Sequence, residues 1–422
     1  MTRSIFYSLL LIALTSCGVD RWEEYKPLTS LDEWIYNTMS DKYLFNSAMP
    51  SYKEVNPFIP AKDFLNNIKL GQDNISNVKS ATEVINVGYG FEYTLAQPNN
   101  NDTINNIIIT YVEPQSPAYR AGMLRGDKFI KVNGEIVSRN TAKNKLKPNG
   151  KIELTRGEYK LKQKANEQEP DKFELTEGEK IVINGTEQIA QQAIYKSKII
   201  DVEGKGKIAY LMYNKFISGT EGNAEFHNDK LLSFASEISS NDINTLVLDL
   251  RKTVGNDTKA FTVLATMLVS NQYMNSEMGK TVYNENNTAR NETLTFNSSL
   301  LKGAQKPAIS TLIIVCSKKT SGLSEALINV LNNKVGKIIA VGEDTAGIPF
   351  ITETFQNESK EWILEIPTHV ILNTEGTSSG NGFVASVKIN TSSDSGEIYN
   401  YGDERETVLA QIIKDIKENK FN

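Results

Sequence analysis

Nucleophiles, proton acceptors and metal ligands are scarce in this chain, and that scarcity narrows its chemistry. Two cysteines, Cys17 and Cys316, exclude a disulfide framework and any cysteine-based zinc or iron–sulfur cluster. Two histidines, His227 and His369, leave little material for a metal site, so neither a metal nor a cofactor is expected. No P-loop or dinucleotide-type glycine fingerprint follows a strand. Ser321 suits a helix N-cap and Ser324 a first helical turn, where Glu325 favours the helix dipole. Asp249-Leu250-Arg251, ending a buried strand, reads as a structural ion pair or a cap for the next turn. Cys316 reads as a small buried apolar residue. The 46 basic and 51 acidic side chains leave a net charge of −5, which gives no reason to expect nucleic acid as a partner.

The scaffold for these residues can be outlined from composition and periodicity. At 39% hydrophobic and 23% charged, the 422 residues have a globular profile with room for two or three domains. Arg3 and the apolar run Ile5 to Leu14 form a signal peptide over residues 1–16, too short to span a bilayer. Leu14-Thr15-Ser16-Cys17 resembles a bacterial lipobox, which predicts lipidation at Cys17. The mature protein is then expected in the bacterial cell envelope, anchored to the membrane by lipid, at the periplasmic face or the cell surface. Residues 17–80 show helical apolar spacing at Leu31, Trp34, Ile35 and Met39, and again at Phe64, Leu65, Ile68 and Leu70. Residues 81–160 change to short β runs, with Asn133-Gly134 as a tight-turn signal. Residues 161–194, rich in Lys, Glu and Gln, read as a solvated connection with a strand or two inside it. Over 195–420, apolar strands such as Leu246 to Leu250 alternate with helices, implying parallel βαβ units.

The run Tyr111-Val112-Glu113-Pro114-Gln115-Ser116-Pro117-Ala118-Tyr119-Arg120-Ala121-Gly122-Met123-Leu124-Arg125-Gly126-Asp127, followed by Asn133-Gly134, closely resembles the PDZ family. Such domains add an extended chain to a sheet edge and receive its terminal carboxylate on backbone N–H groups. The matching loop is Val87-Gly88-Tyr89-Gly90-Phe91, so Gly88, Tyr89, Gly90 and Phe91 are the expected peptide-binding residues. The glycines permit the close backbone approach a carboxylate needs.

With that module ahead of an α/β region, the chain resembles the tail-specific, or carboxyl-terminal-processing, serine peptidases in their Bacteroidetes-type lipoprotein form. The resemblance rests on Lys207-Ile208-Ala209-Tyr210-Leu211, Asp249-Leu250-Arg251, Ser324-Glu325, Gly342-Glu343-Asp344-Thr345-Ala346-Gly347 and Asn381-Gly382-Phe383, in the family's order. It implies an α+β multidomain fold: an N-terminal helical segment, a PDZ domain as a small β-barrel with helices, and a C-terminal α/β core.

Active members of the family use a serine and a lysine. Aligned on their motifs, Gly322 stands at the serine position and Ile348 at the lysine position, and neither can do the chemistry. The oxyanion turn after Asp249-Leu250-Arg251 retains only Gly255. The expected function is therefore binding of unfolded or extended polypeptides and protein C-termini by a catalytically degenerate member. The alternative is an active serine-type endopeptidase with a relocated nucleophile, Ser321 or Ser324, and a base among Lys318, Lys319, Lys334, Lys337 and the two histidines. His369 reads as a half-exposed strand residue. A purely structural envelope protein is the third possibility.

Overall fold

The computed structural model describes residues 22–84, 87–96, 105–163, 172–389 and 397–421. Residues 1–16, read above as a signal peptide, Cys17 and residues 98–104 of an Asn-rich loop lie outside them. Among the described residues no helix is long and apolar enough to cross a membrane. The chain divides into two compact units, one of residues up to Thr82 with Asn284–Thr288 and Glu353–Thr368, the other of Glu83–Tyr283, Ala289–Thr352 and His369 onward.

In the first unit, helices Trp22–Lys42 and Ala61–Ile68 bury Ile35 and Met39 against Phe64, Leu65 and Ile68. Burial of such side chains stabilises by about 1.5–3 kcal/mol each. Strand β1 (Asn77–Ser80) pairs antiparallel with residues 362–365 and adds Val78 and Leu364 to the same core. The core domain expected at 195–420 thus lends two segments to this unit.

The second unit opens with β2 (Val87–Gly88), β3 (Phe91–Ala96), β4 (Asn106–Val112), β5 (Lys128–Val132), β6 (Glu135–Ile136), β7 (Ile152–Gln163), β8 (Lys172–Ile183) and β9 (Glu187–Gln188). The sheet order is β3-β4-β5-β7-β8, which leaves β3 at an edge. Ser116 caps the helix Pro117–Arg120 by accepting from the Tyr119 N–H, and Pro117 fills the first turn. Asn133 and Gly134, at φ 51° and 82°, close the β5–β6 hairpin. The sheet continues past residue 160, because β8 returns antiparallel along the whole of β7. Ile152, Leu154, Ile181 and Ile183 at one end of this hairpin are core, whereas residues 174–180 are exposed, and Lys131–Glu177 and Lys180–Glu153 pairs lace the surface. It is the exposed, Lys- and Glu-rich part of the hairpin that reads as a solvated connection.

Next come β10 (Ile194–Val202), β11 (Gly206–Tyr213), β12 (Thr245–Asp249), β13 (Glu277–Tyr283), β14 (Thr293–Thr295), β15 (Thr311–Cys316) and β16 (Lys337–Gly342). A sheet in the order β10-β11-β12-β15-β16 has all its neighbours parallel except β10. Both faces are covered: Leu246, Leu248, Leu312 and Ile314 join one core with Phe261 and Leu327, while Val247, Ile313 and Val315 join another with Leu409 and Ile412. Beside it, residues 369–373 pair with β13.

Candidate functional site

Two loops at the carboxyl ends of β15 and β16 form the site, the usual ligand position in open α/β sheets. The loop after β15 is fixed from below. The Ser317 hydroxyl donates to the Arg251 carbonyl at 2.8 Å, and the Thr320 hydroxyl to the Leu250 carbonyl at 3.2 Å. Beneath it lies a buried charge cluster. The Arg251 guanidinium reaches Asp249 at 2.6 Å and Glu406 at 2.9 Å, and the Tyr210 hydroxyl donates to Asp249. Asp249 and Arg251 are thus both ion-paired and structural, and Glu406 caps the closing helix Thr407–Lys417. Cys316 is fully buried, which pushes its thiol up to about 12.

The loop then turns at Gly322, which caps the helix Leu323–Leu331 with φ 56° and ψ −124°. This is a region almost reserved for glycine, on a strand-to-helix turn of the kind that displays the nucleophilic serine in α/β-hydrolases. The Gly322 N–H donates to the Ile348 carbonyl at 2.8 Å, and the Ala346 N–H to the Thr320 carbonyl at 2.9 Å. The positions aligned with the family's serine and lysine are therefore in direct backbone contact. A Cβ on Gly322 would meet only the Phe350 carbonyl oxygen, at 3.4 Å.

Glu325, on the first turn of that helix, holds the opposite loop. Its Oε1 accepts from the Thr345 hydroxyl and from the Gly347 N–H at 2.7 Å, while the same Thr345 oxygen accepts from the Phe383 N–H at 2.8 Å. Full burial raises the Glu325 carboxyl above its ordinary value despite these bonds. Motif spacing marked Glu325 as a helix-dipole residue; its role as the clamp on 345–347 depends on a contact twenty residues away.

Ser321 is half-buried and lies one residue before the cap, so the expected Ser321 N-cap is corrected to Gly322. Ser324 is 1% exposed. Among the described residues, no ammonium or imidazole bonds either hydroxyl. Lys334 and Lys337 lie beyond the far end of the helix, where their ammonium groups donate to Thr374 and to the Phe421 carbonyl. Lys318 and Lys319 are exposed on the loop before Ser321. His369 is 3% exposed, not half-exposed: its ring stacks on Tyr283, centroid to centroid 4.5 Å. His227 is buried too, which lowers its pKa. Gly255, at φ 95°, sits in a turn whose neighbour Val254 pairs both ways with Asn214 and Phe216.

The other expected residues come together in the β2–β3 loop. Gly88 pairs with Glu187 across β9, the Tyr89 carbonyl accepts from the Ala118 N–H, and the Gly90 carbonyl accepts from the Glu113 N–H. Tyr89 stacks on Phe91 at 6.0 Å. All four line one groove of about 470 Å³ between the edge strand β3 and the segment 143–148. Lys143, Lys147 and Ile189 also line it, residues that no motif pointed to.

Residues 207–388 match peptidase family S41, and residues 108–148 match the PDZ domain. The chain thus carries an S41 peptidase domain and a PDZ domain. Among solved structures it is similar to a Bacteroides fragilis protein assigned as an S41 protease. The two are 28% identical over 92% of this chain and 97% of that one, with a TM-score of 0.81. Looser likenesses are to a photosystem II D1 C-terminal processing protease (14% identity, 86% and 92% covered, TM-score 0.47) and to mature CPAF with lactacystin (10%, 93% and 98%, TM-score 0.43). No curated protein matches.

Proposed function

We propose that this chain is an S41 family member that binds extended polypeptides and protein C-termini, and that its own peptidase site is catalytically degenerate. One observation carries the reading: the Gly322 N–H to Ile348 carbonyl bond places the two aligned positions side by side, with no hydroxyl and no amine on either. A serine peptidase needs a proton acceptor within about 2.6–3.2 Å of its nucleophile. The surrounding frame of Glu325, Thr345 and Gly347 is intact, so the loss is local to the reacting side chains. The groove at Gly88, Tyr89, Gly90 and Phe91 supports peptide capture, because β3 offers an unpaired edge beside it. Gly255 is the remnant of the oxyanion region in this reading. We also propose lipid anchoring at Cys17 in the bacterial cell envelope, which palmitate labelling lost in Cys17→Ala would support.

The test is a cleavage assay on the natural chain with an unfolded protein and peptides ending in apolar residues, read by mass spectrometry. A second protein carries Gly322→Ser and Ile348→Lys. No products from the natural chain, with products from the double variant, is the expected result. Products from the natural chain that vanish in Ser321→Ala would overturn the reading in favour of an active endopeptidase.

A further inference from the structure

A second cleft, of about 570 Å³, lies between β3–β4 and the carboxyl ends of β12 and β15. Arg125, Arg251, Lys252, Lys318 and Lys319 line it, against Glu92 and Glu343. Arg251 is neutralised by Asp249 and Glu406, and Lys252 pairs with Glu92 at 2.6 Å. Arg125 lies over the Tyr401 ring, 4.3 Å from its centroid, and donates to the Thr110 carbonyl at 3.0 Å. Among the described residues, Lys318 and Lys319 pair with no carboxylate; the nearby Asp344, which feels the Lys318 charge, pairs instead with Lys388 at 2.7 Å. Among the described residues, the cleft therefore presents the Lys318 and Lys319 ammonium groups without a paired carboxylate, in a chain whose net charge is −5.

Its position gives that charge a use. Lys318 and Lys319 belong to the loop that ends at Gly322, and Glu343 to the loop that ends at Ile348. Glu92, Thr94 and Ala96 supply the opposite wall from the edge strand β3. A polypeptide held at that strand and crossing the two loops runs over the lysines.

We infer that the polypeptides bound here carry an acidic stretch, whose Asp or Glu side chains seat on Lys318 and Lys319. The inference rests on the peptide-binding reading above. Nucleic acid fits less well, since its dense phosphates would meet Glu92 and Glu343 beside the two lysines, on a net-negative chain.

Fluorescence anisotropy on the full chain tests it with two labelled peptides sharing an apolar C-terminus, one with three Glu upstream and one with three Gln. The Glu peptide is expected to bind about three- to tenfold more tightly at low salt, the range two exposed ion pairs supply, and the preference shrinks as salt rises. In Lys318→Gln/Lys319→Gln the ratio falls to about one. Equal binding of both peptides by the natural chain, or a preference surviving the double substitution, overturns the inference and leaves peptide binding standing. If neither peptide binds, the peptide-binding reading fails and the acidic preference falls with it. A single-stranded oligonucleotide that outcompetes the Glu peptide would assign the cleft to nucleic acid instead.

Discussion

Gly90 in the PDZ groove and Gly322 in the peptidase loop are both glycines at positive φ, 80° and 56°, each at a turn beside a proposed site. Their surroundings differ. A Cβ on Gly90 would lie 2.1 Å from the Ser116 Cβ and 2.5 Å from its hydroxyl, whereas a Cβ on Gly322 has its nearest neighbour at 3.4 Å. At Gly90 packing and backbone together demand glycine, because the loop must pass close over the start of helix Pro117–Arg120. At Gly322 only the backbone does, and the space for a side chain is open. A strained turn that leaves room for a side chain is what a nucleophile needs. On the proposed reading, the peptidase region has a turn shaped for a reacting side chain at a position that carries none, while the groove is built around a glycine that its packing requires.

The contrast is broken or kept by one pair of substitutions. Gly90→Ala is expected to lower stability by about 3 kcal/mol, combining overpacking with a positive-φ penalty, and to abolish binding of a peptide with an apolar C-terminus. Chemical denaturation and anisotropy read the two effects. Gly322→Ala is expected to cost only about 1–2 kcal/mol, the backbone penalty alone, with peptide binding at the groove retained. Equal losses at the two positions would show that the difference in free space has no energetic weight.

Much of this frame could be read from residue order. Leu246 to Leu248 and Ile313 to Val315 are apolar without alternation, which marks strands covered on both faces, and Asn133-Gly134 marks a hairpin. The Gly322 and Ile348 alignment depended on two short motifs separated by about twenty residues, and the loops meet because β15 and β16 are parallel neighbours. What could not be read has identifiable causes. In β8 the charged residues Glu177 and Glu179 interrupt the apolar alternation of Phe173, Leu175, Ile181 and Ile183, so its exposed stretch at 174–180 reads as a solvated connection. His369 lies in a strand with mixed pattern, and its burial comes from Tyr283, a cross-strand partner no local pattern reveals. The N-cap moved from Ser321 to Gly322 because the chain takes a positive φ there, a conformation composition does not specify. Glu325 acts through Thr345 and Gly347, which only the folded loop brings within reach.

The Glu325 clamp yields the smallest effect. The Glu325 carboxyl titrates above its ordinary value of 4.5, chiefly because burial disfavours its charge. Between the ordinary value and the raised one, the folded protein holds a proton that the unfolded chain has released. The stabilising contribution of Glu325 is therefore complete below 4.5 and is lost as pH rises through the raised value. Glu325→Gln keeps an oxygen that can accept from the Thr345 hydroxyl and the Gly347 N–H, and carries no charge to desolvate. Its stability at neutral pH is expected to equal or slightly exceed that of the natural chain, and the decline with pH above 4.5 should flatten. Denaturation midpoints measured from pH 4 to 8 decide it. If the substitution lowered stability at every pH with the slope unchanged, the loop at 345–347 would be held by the carboxylate charge itself. A frame kept on an ionised acid beside the vacant serine position would then belong to a site still arranged around developing charge, which Gly322 and Ile348 cannot supply.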